Sequence, residues 1–541
     1  SNPDYDTRIS VFEGTCEVLS CIDANDDYCS LQSRMDWYAQ LGTEYLIMVH
    51  GYSASTGTFR LTMDCISPPS ANWLGGDVSF GDPFAPNDWF GPDNWDVGDV
   101  PGSLTDVTIP GGVSDFPTID GMARCNSIFV ESGGSLLDNG LLTAPAGITA
   151  ERDYLGNFWH LISSSVTGET ASTFVGLYLQ AHDEPSNSYS DVTGLTTVLE
   201  PGQGFALWDP IDGTASYNGS MTFSATRALT RSAMGFNNGW NLVGNPFPSS
   251  IDWESTGLTK TNIDASTYCF DGAGSGNWAI WNGIVGTNGA TQYIASGQGF
   301  FVAVNDAQTT GTLGLNNGAR IHHNTVFFKE EPSDIVKVKV SGNGYSDEII
   351  IYFRDDASTG FDGKMDAHSL PSLIDNAPYI YSMGNDNLAI NVLPEVVPVP
   401  VNVKVGTGMG TFTVETVSNG GFDELFLEDD VTGIITDLNE NPYIFDYIQD
   451  IDSRFVLHFG PLGIDDNTTG LSTIYSFEKD VYVVVPKGTK GIVAVYDVMG
   501  KIIVREAIDG PKTVVRLEKS GYYVVKVQGN ENITTDQVFI K

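Results

Sequence analysis

Short apolar runs recur along the whole chain, most alternating with polar residues and each closed by glycine, proline or asparagine. Asp334-Ile335-Val336-Lys337-Val338-Lys339-Val340 alternates cleanly, as does Asp347-Glu348-Ile349-Ile350-Ile351-Tyr352-Phe353. Arg8 to Phe12, Glu44 to Gly51, Thr58 to Met63, Thr411 to Val414 and Arg454 to Phe459 repeat the pattern. A period of two places alternate side chains on opposite faces of a strand. Runs this short between turn formers predict strands rather than helices. Sixty glycines and 25 prolines supply the turns. The predicted fold class is all-β: tandem β-sandwich modules, Ig-like or jelly-roll-like, with a short β-solenoid-like segment.

At 541 residues the chain should hold several domains. Residues 1–66 form a first alternating unit. Residues 67–150 change character, with Asn72-Trp73, Asp88-Trp89 and Asn94-Trp95 followed by Asp106-Val107-Thr108-Ile109 and Ser127-Ile128-Phe129-Val130. Rungs of about eight to ten residues suggest a β-solenoid-like stack there. Residues 151–328 carry an internal duplication. Phe158-Trp159-His160-Leu161-Ile162 parallels Gly239-Trp240-Asn241-Leu242-Val243, and Pro201-Gly202-Gln203-Gly204-Phe205-Ala206 parallels Ser296-Gly297-Gln298-Gly299-Phe300-Phe301. Two β units of one architecture are implied. Residues 329–462 read as a further sandwich, 463–470 as a polar linker, and 471–541 as a small terminal β-domain.

Charge sharpens that last boundary. The net charge is −42, yet residues 471–541 hold ten Lys/Arg against eight Asp/Glu. A body this acidic is repelled by nucleic acid and by anionic lipid, so no nucleic-acid partner is expected. No stretch of eighteen apolar residues appears, and Ser1 opens no signal peptide, so a mature chain or a fragment is expected.

Catalytic motifs are missing from the text: there is no H-E-x-x-H, no G-x-S-x-G and no Walker A loop. Adjacent His322 and His323 would face opposite sides of a strand, which disfavours a shared metal. The reading is of a chain that is not an enzyme. Calcium is the one cofactor with a physical case, because hard cations want several oxygens from one loop. Asp23, Asn25 and Asp27 supply one cluster; Asp355, Asp356, Asp362 and Asp366 supply another. The competing reading is a set of solvated turns whose Asp and Asn side chains accept from nearby backbone N–H groups. Trp278 and Trp281 could present rings to a glycan, although residues i and i+3 of a strand point to opposite faces and core packing needs large apolar groups anyway.

The C-terminal domain brings a resemblance. Tyr496-Asp497-Val498-Met499-Gly500-Lys501, then Gly521-Tyr522-Tyr523-Val524-Val525-Lys526-Val527, then Val538-Phe539-Ile540-Lys541 resemble, in order and spacing, the type A C-terminal sorting domain of the type IX secretion system of Bacteroidetes. The stretch Leu517 to Ser520 departs from the usual apolar approach. The resemblance implies an address rather than a chemistry: export across the outer membrane to the cell surface or medium, through a translocon and its outer-membrane shuttle barrel. It implies sorting roles for Tyr496, Asp497, Gly500, Lys501, Gly521, Tyr522, Val538, Phe539, Ile540 and Lys541. With an export signal, the four N-terminal cysteines of the six read as disulfide material, Cys16–Cys21 and Cys29–Cys65 being the preferred pairs, with connectivity open, while Cys125 and Cys269, far apart in sequence, read as free buried thiols. Residues 1–66 resemble the later two-thirds of a pre-peptidase C-terminal-like β-sandwich, and residues 329–462 resemble the stalk module that commonly precedes a sorting domain. The expected function is a non-catalytic adhesin or display protein. Two alternatives stay open: the tail of a larger secreted peptidase, or a subunit of an extracellular polymer in which neighbouring copies donate strands.

Overall fold

A computed structural model describes the chain apart from residues 1–5, 16–17, 27–30, 36, 38–42, 64–68, 77–83, 234–237, 324–331, 333, 385, 407–408, 450–452, 461–472, 478, 486–488, 509, 530–532 and 541. The protein is all-β: strands dominate, three short 3-10 turns interrupt them, and no α-helix occurs among the described residues. Two compact units divide it, Ser1–Gly460 and Pro461–Lys541.

The first unit opens with a three-stranded antiparallel sheet in which Thr7–Thr15 is flanked by Val18–Asn25 and Tyr45–Gly51. The alternation at Thr58 to Met63 does not become a strand; those six residues are irregular and exposed. Alternation needs a neighbouring edge to pair with, and no strand among the described residues pairs with them.

A parallel coil follows. Ser70–Asn72, Asp106–Ile109, Ser127–Val130 and Ile148–Tyr154 stack in register. Thr118–Ile119 pairs with Leu137–Asp138, and Ala123–Arg124 with Leu142–Thr143, giving two further parallel stacks. Val107 pairs with Ile128 and Ile128 with Ile148, steps of 21 and 20 residues. One rung is therefore about twice the length expected from sequence, because each rung carries three short strands. Val107, Ile109, Ile119, Ile128, Val130 and Leu136 fill the coil. Trp73, Trp89 and Trp95 close it beside the first rung, edge-to-face at centroid distances of 4.9 and 4.7 Å. At the far end the antiparallel strand Gly213–Met221 covers Ile148–Tyr154, so the stack does not end on an open edge.

The duplicated phrases form two sheets of one topology. Trp159–Ser163 pairs with Gly204–Trp208, which continues to Tyr178–Asp183 and Ser188–Asp191. Trp240–Gly244 pairs with Gly299–Ala303, which continues to Thr267–Asp271 and Asn277–Trp281. Ser163 pairs with Gly204 as Gly244 pairs with Gly299, so the registers correspond. The repeats also exchange contacts. Ile162 bridges Gln298, and Gln203 bridges Val243. The Ser163 N–H donates to Gly297 O at 2.9 Å, and the Gly244 N–H donates to Gly202 O at 3.0 Å. Each Gly-Gln-Gly turn thus feeds the strand of the other repeat, a pseudo-two-fold arrangement. Glycine is required at the crossing: a Cβ on Gly299 would stand 2.8 Å from the Ile162 backbone, and one on Gly204 2.4 Å from Val243 O.

An eleven-stranded sheet, built from Ile335–Gly342 to Phe455–Phe459, curls around one core. Val336, Val338, Val340, Ile349, Ile351, Phe412 and Leu457 face inward. The next-door residues Ile335, Ile350 and Tyr352 face outward and join Trp240, Tyr268, Trp278 and Phe301 of the second repeat in a shared core. The unbroken run Ile349-Ile350-Ile351-Tyr352 exists because both faces of that strand are buried.

The second unit is a two-sheet sandwich. Thr473–Phe477, Asp480–Val484 and Lys512–Arg516 form one sheet. Ile502–Ala507, Ile492–Asp497, Gly521–Gln528 and Ile533–Ile540 form the other, in that order. Val481, Val483, Val493, Val495, Val525, Val527, Val538 and Ile540 make the core between them.

Candidate functional site: the C-terminal sheet

The three phrases that carry the sorting resemblance lie together on the four-stranded sheet. Tyr496-Asp497-Val498-Met499-Gly500-Lys501 is the hairpin joining its first two strands. Asp497 organises the turn: its Oδ1 accepts from the N–H groups of Met499 and Lys501, each at 2.9 Å, and its carbonyl accepts from Gly500 N–H at 2.9 Å. Gly500 has φ +80°, a conformation that favours glycine. The turn so braced holds Val498 and Met499 in solvent, 70% and 88% exposed.

The named residues separate by face. Tyr496 pairs with Val524, and Tyr522 pairs with Phe539, with ring centroids 4.9 Å apart. Tyr522 and Phe539 are outward and exposed, and Tyr496 is half-buried. Val538 and Ile540 instead point into the core, and so does Tyr523, whose hydroxyl donates to Lys519 O at 2.8 Å. Val538 and Ile540 therefore hold the terminal strand in place and are not on the surface. Gly521 begins its strand and Lys501 is exposed; Lys541 lies outside the described residues. Ile502, Val524, Arg505 and Lys526, to which the resemblance assigned no role, share the outer face. Their alternation against the buried valines was the available signal.

Neither calcium cluster converges. Asp23 and Asn25 lie in the strand Val18–Asn25, not in a loop. Asp23 Oδ1 accepts from Ala24 N–H at 2.8 Å, and Asn25 Oδ1 from Arg34 N–H at 3.3 Å. Both line a shallow cavity of about 430 Å³ with Arg34, Pro69 and Thr105. Asp27 lies outside the described residues. In the second cluster Asp356 is clamped by Arg354, both bonds 2.8 Å, and Asp355 is exposed. Asp366 is buried, and both its oxygens accept backbone N–H groups: Asp362 at 2.7 Å and Val392 at 2.8 Å. Burial pushes its carboxyl up to about 6 against those hydrogen bonds. These oxygens are occupied in bracing turns. No group of three or more His, Cys, Asp or Glu placed to hold a metal occurs among the described residues.

Other polar groups are structural. His322 bonds Ser135 Oγ at 2.8 Å and Thr118 Oγ1 at 3.1 Å, and burial lowers its pKa to about 4. The serine is itself buried, so this pair offers no open nucleophile. Trp278 and Trp281 are both buried, in different cores, and their ring N–H groups donate to Pro371 O and Glu254 Oε1. They present no face to a sugar. Cys21 is an exposed free thiol and takes no part in a Cys16–Cys21 bridge here; Cys16, Cys29 and Cys65 lie outside the described residues. Cys125 is buried and Cys269 half-buried, both free, and burial raises both thiols to about 12, which makes them inert.

The chain matches the family described as "Domain of unknown function (DUF8693)" over residues 210–459, somewhat less than half its length. That stretch holds the second repeat and the eleven-stranded sheet. No curated protein matches. Among solved structures, a "Biofilm associated protein - BSP domain" is 9% identical at a TM-score of 0.17, covering 75% of this chain and 99% of its own. A Lactobacillus rhamnosus beta-glucuronidase is 11% identical at a TM-score of 0.10, covering 72% and 45%. Scores this low carry no argument about function.

Proposed function

We propose that the protein is a non-catalytic cell-surface protein, an adhesin or display stalk, exported through a type IX secretion system by its C-terminal unit. The observation that carries this reading is the C-terminal unit itself. Residues 461–541 form a separate compact sandwich, and the sorting phrases fall on neighbouring strands of one of its sheets. An address must fold apart from its cargo to be read independently of it, and this unit has its own core. On this reading the acidic body supplies bulk and reach rather than chemistry. The translocon and its shuttle barrel are the partners on this reading, and the destination is the outer surface or the medium.

The test is to produce the full chain in a Bacteroidetes host, with and without a working type IX translocon. Accumulation outside the cell only when the translocon works is the expected result. Equal release from both strains would end the reading.

A second reading has one observation in its favour. Val18–Asn25 is an edge strand of the N-terminal sheet, and most of its residues are exposed, Val18 to 77%. Such an edge can accept a strand from a neighbouring molecule, as a polymer subunit would require. Sedimentation of the purified chain showing a concentration-independent monomer would remove it.

A further inference from the structure

The outer face of the C-terminal four-stranded sheet has a composition that its fold does not require. Cross-strand register places Ile502, Tyr496, Val524 and Gln537 in one row, and Tyr522 beside Phe539 in the next. On the other side of the apolar row lie Arg505, Ala494, Lys526 and Thr535. In a segment, 471–541, of ten Lys/Arg and eight Asp/Glu, these three rows carry two cations and no carboxylate. Tyr522, Phe539 and Ile502 are 57%, 48% and 49% exposed, and none contributes to the core between the sheets. The braced hairpin at Asp497 extends the same edge with the exposed side chains of Val498 and Met499. Solvent-facing strand positions ordinarily favour polar residues, so a contiguous apolar and aromatic patch flanked by cations marks a contact surface.

We propose that this face, centred on Tyr496, Ile502, Tyr522 and Phe539 and flanked by Arg505 and Lys526, is the surface that a protein component of the export route grips. The occupant is a protein surface with an apolar centre and carboxylates at its rim. The inference rests on the type IX reading and adds to it the side of the unit that is read. Aromatic residues and arginine around an apolar centre are the composition of protein interfaces. Recognition of an anionic membrane takes a cluster of about four to eight cations, and this face has two. Carboxylates on the partner answer the positive charge of Arg505 and Lys526 and steer the encounter.

The test uses the full chain in the type IX host. One variant carries Tyr522→Glu and Phe539→Glu, a second Arg505→Glu and Lys526→Glu. A control carries Tyr482→Glu and Val514→Glu on the opposite sheet, where Val514 is also exposed. Purified variants are first matched to wild type in thermal melting. At least a tenfold drop in export for both outer-face variants is expected, with the control within twofold of wild type. If wild type leaves the cell without the translocon, the export reading itself fails. If wild type needs the translocon but the outer-face variants export normally, or fall together with the control, this inference is overturned and the export reading stands. Two further results also overturn it. One is dimerisation of purified chain that the Tyr522→Glu change abolishes, which assigns the face to a second copy. The other is binding to anionic vesicles that Arg505→Glu and Lys526→Glu abolish, which assigns it to lipid.

Discussion

Removing Asp429 should open one end of the eleven-stranded sheet. Its side chain is wholly buried and that of Arg454 is 6% exposed. The pair is joined through Arg454 Nη2 to Asp429 Oδ2 at 2.9 Å, with Nε at 3.2 and 3.3 Å from the two oxygens. Asp429 also accepts from Tyr443 Oη at 2.6 Å and from Val431 N–H at 2.9 Å. Arg454 lies over the rings of Phe445 and Phe455 at 4.6 and 5.0 Å. Asp429→Ala leaves a buried guanidinium that still donates to Asp446 O at 2.8 Å, removes the carboxylate acceptor of the Tyr443 hydroxyl, which keeps a 3.3 Å contact to Thr432 Oγ1, and removes the acceptor of the Val431 N–H. Breaking one side of a buried pair costs about 3–5 kcal/mol, a factor of roughly 10² to 10³·⁵ in the opening equilibrium. Because a chain of two units does not unfold in one step, the readout is hydrogen exchange of peptides covering Leu425–Asp429 and Phe455–Phe459 in the full chain. Protection there should fall by two to three decades, about the factor just given. Adding Arg454→Met should restore most of it, since no charge is then left unpaired. Burial opposes ionisation of Asp429, but the bonds from Arg454, Tyr443 and Val431 outweigh it and hold the carboxyl below its usual range. Its contribution is therefore complete above the unfolded carboxyl pKa, near 4, and is lost as pH falls through the lower folded value. A fall in protection of less than threefold, or a double variant as unprotected as the single one, would refute this reasoning.

Gly299→Ala should cost about 1–3 kcal/mol by overpacking against Ile162, seen as a lowered melting temperature of the first unit. Trp95→Ala should cost about 3–5 kcal/mol, read as lost exchange protection in Asp106–Ile109 and Ser127–Val130. Asp347 is buried, and although it accepts from Asn288 Nδ2 and Ile380 N–H, burial raises it to about 7. The folded state therefore holds its proton more tightly than the unfolded state, and stability falls as pH rises from near 4 through about 7. Asp347→Asn should compare better with wild type at pH 7.5 than at pH 5 in urea unfolding; a pH-independent difference would exclude this role.

What the sequence disclosed depended on whether local pattern and tertiary partner agreed. Ile335–Gly342 alternates and finds neighbours on both sides, so pattern sufficed. The Trp-x-Leu and Gly-Gln-Gly phrases were visible because they occur twice. Their mutual exchange was not, since no local signal says which repeat a turn will feed. Thr58 to Met63 alternates equally well but pairs with no strand among the described residues. Val18–Asn25 was hidden because Cys, Asp and Asn suit a loop, although it pairs with the strand just before it, Thr15 standing opposite Val18. The rung length was misread because a parallel coil repeats at the full turn, whereas two-residue strands show only the sides of it. In the C-terminal unit, the quoted phrases fall on neighbouring strands of one sheet. Only register separates Val538 and Ile540, which fill the core, from Tyr522 and Phe539, which face solvent. The described carboxylates of the two clusters illustrate a related point: sequence counts oxygens, while the fold decides which backbone N–H groups they accept from.

The central claim is that the C-terminal unit is an address. The most direct measurement transplants residues 461–541 onto an unrelated periplasmic reporter in a type IX host and follows where the reporter goes. The account predicts that the reporter appears outside the cell, only when the translocon is intact, and that the full chain lacking residues 461–541 stays behind. A reporter that remains periplasmic, while the full chain is still released through the translocon, would contradict it.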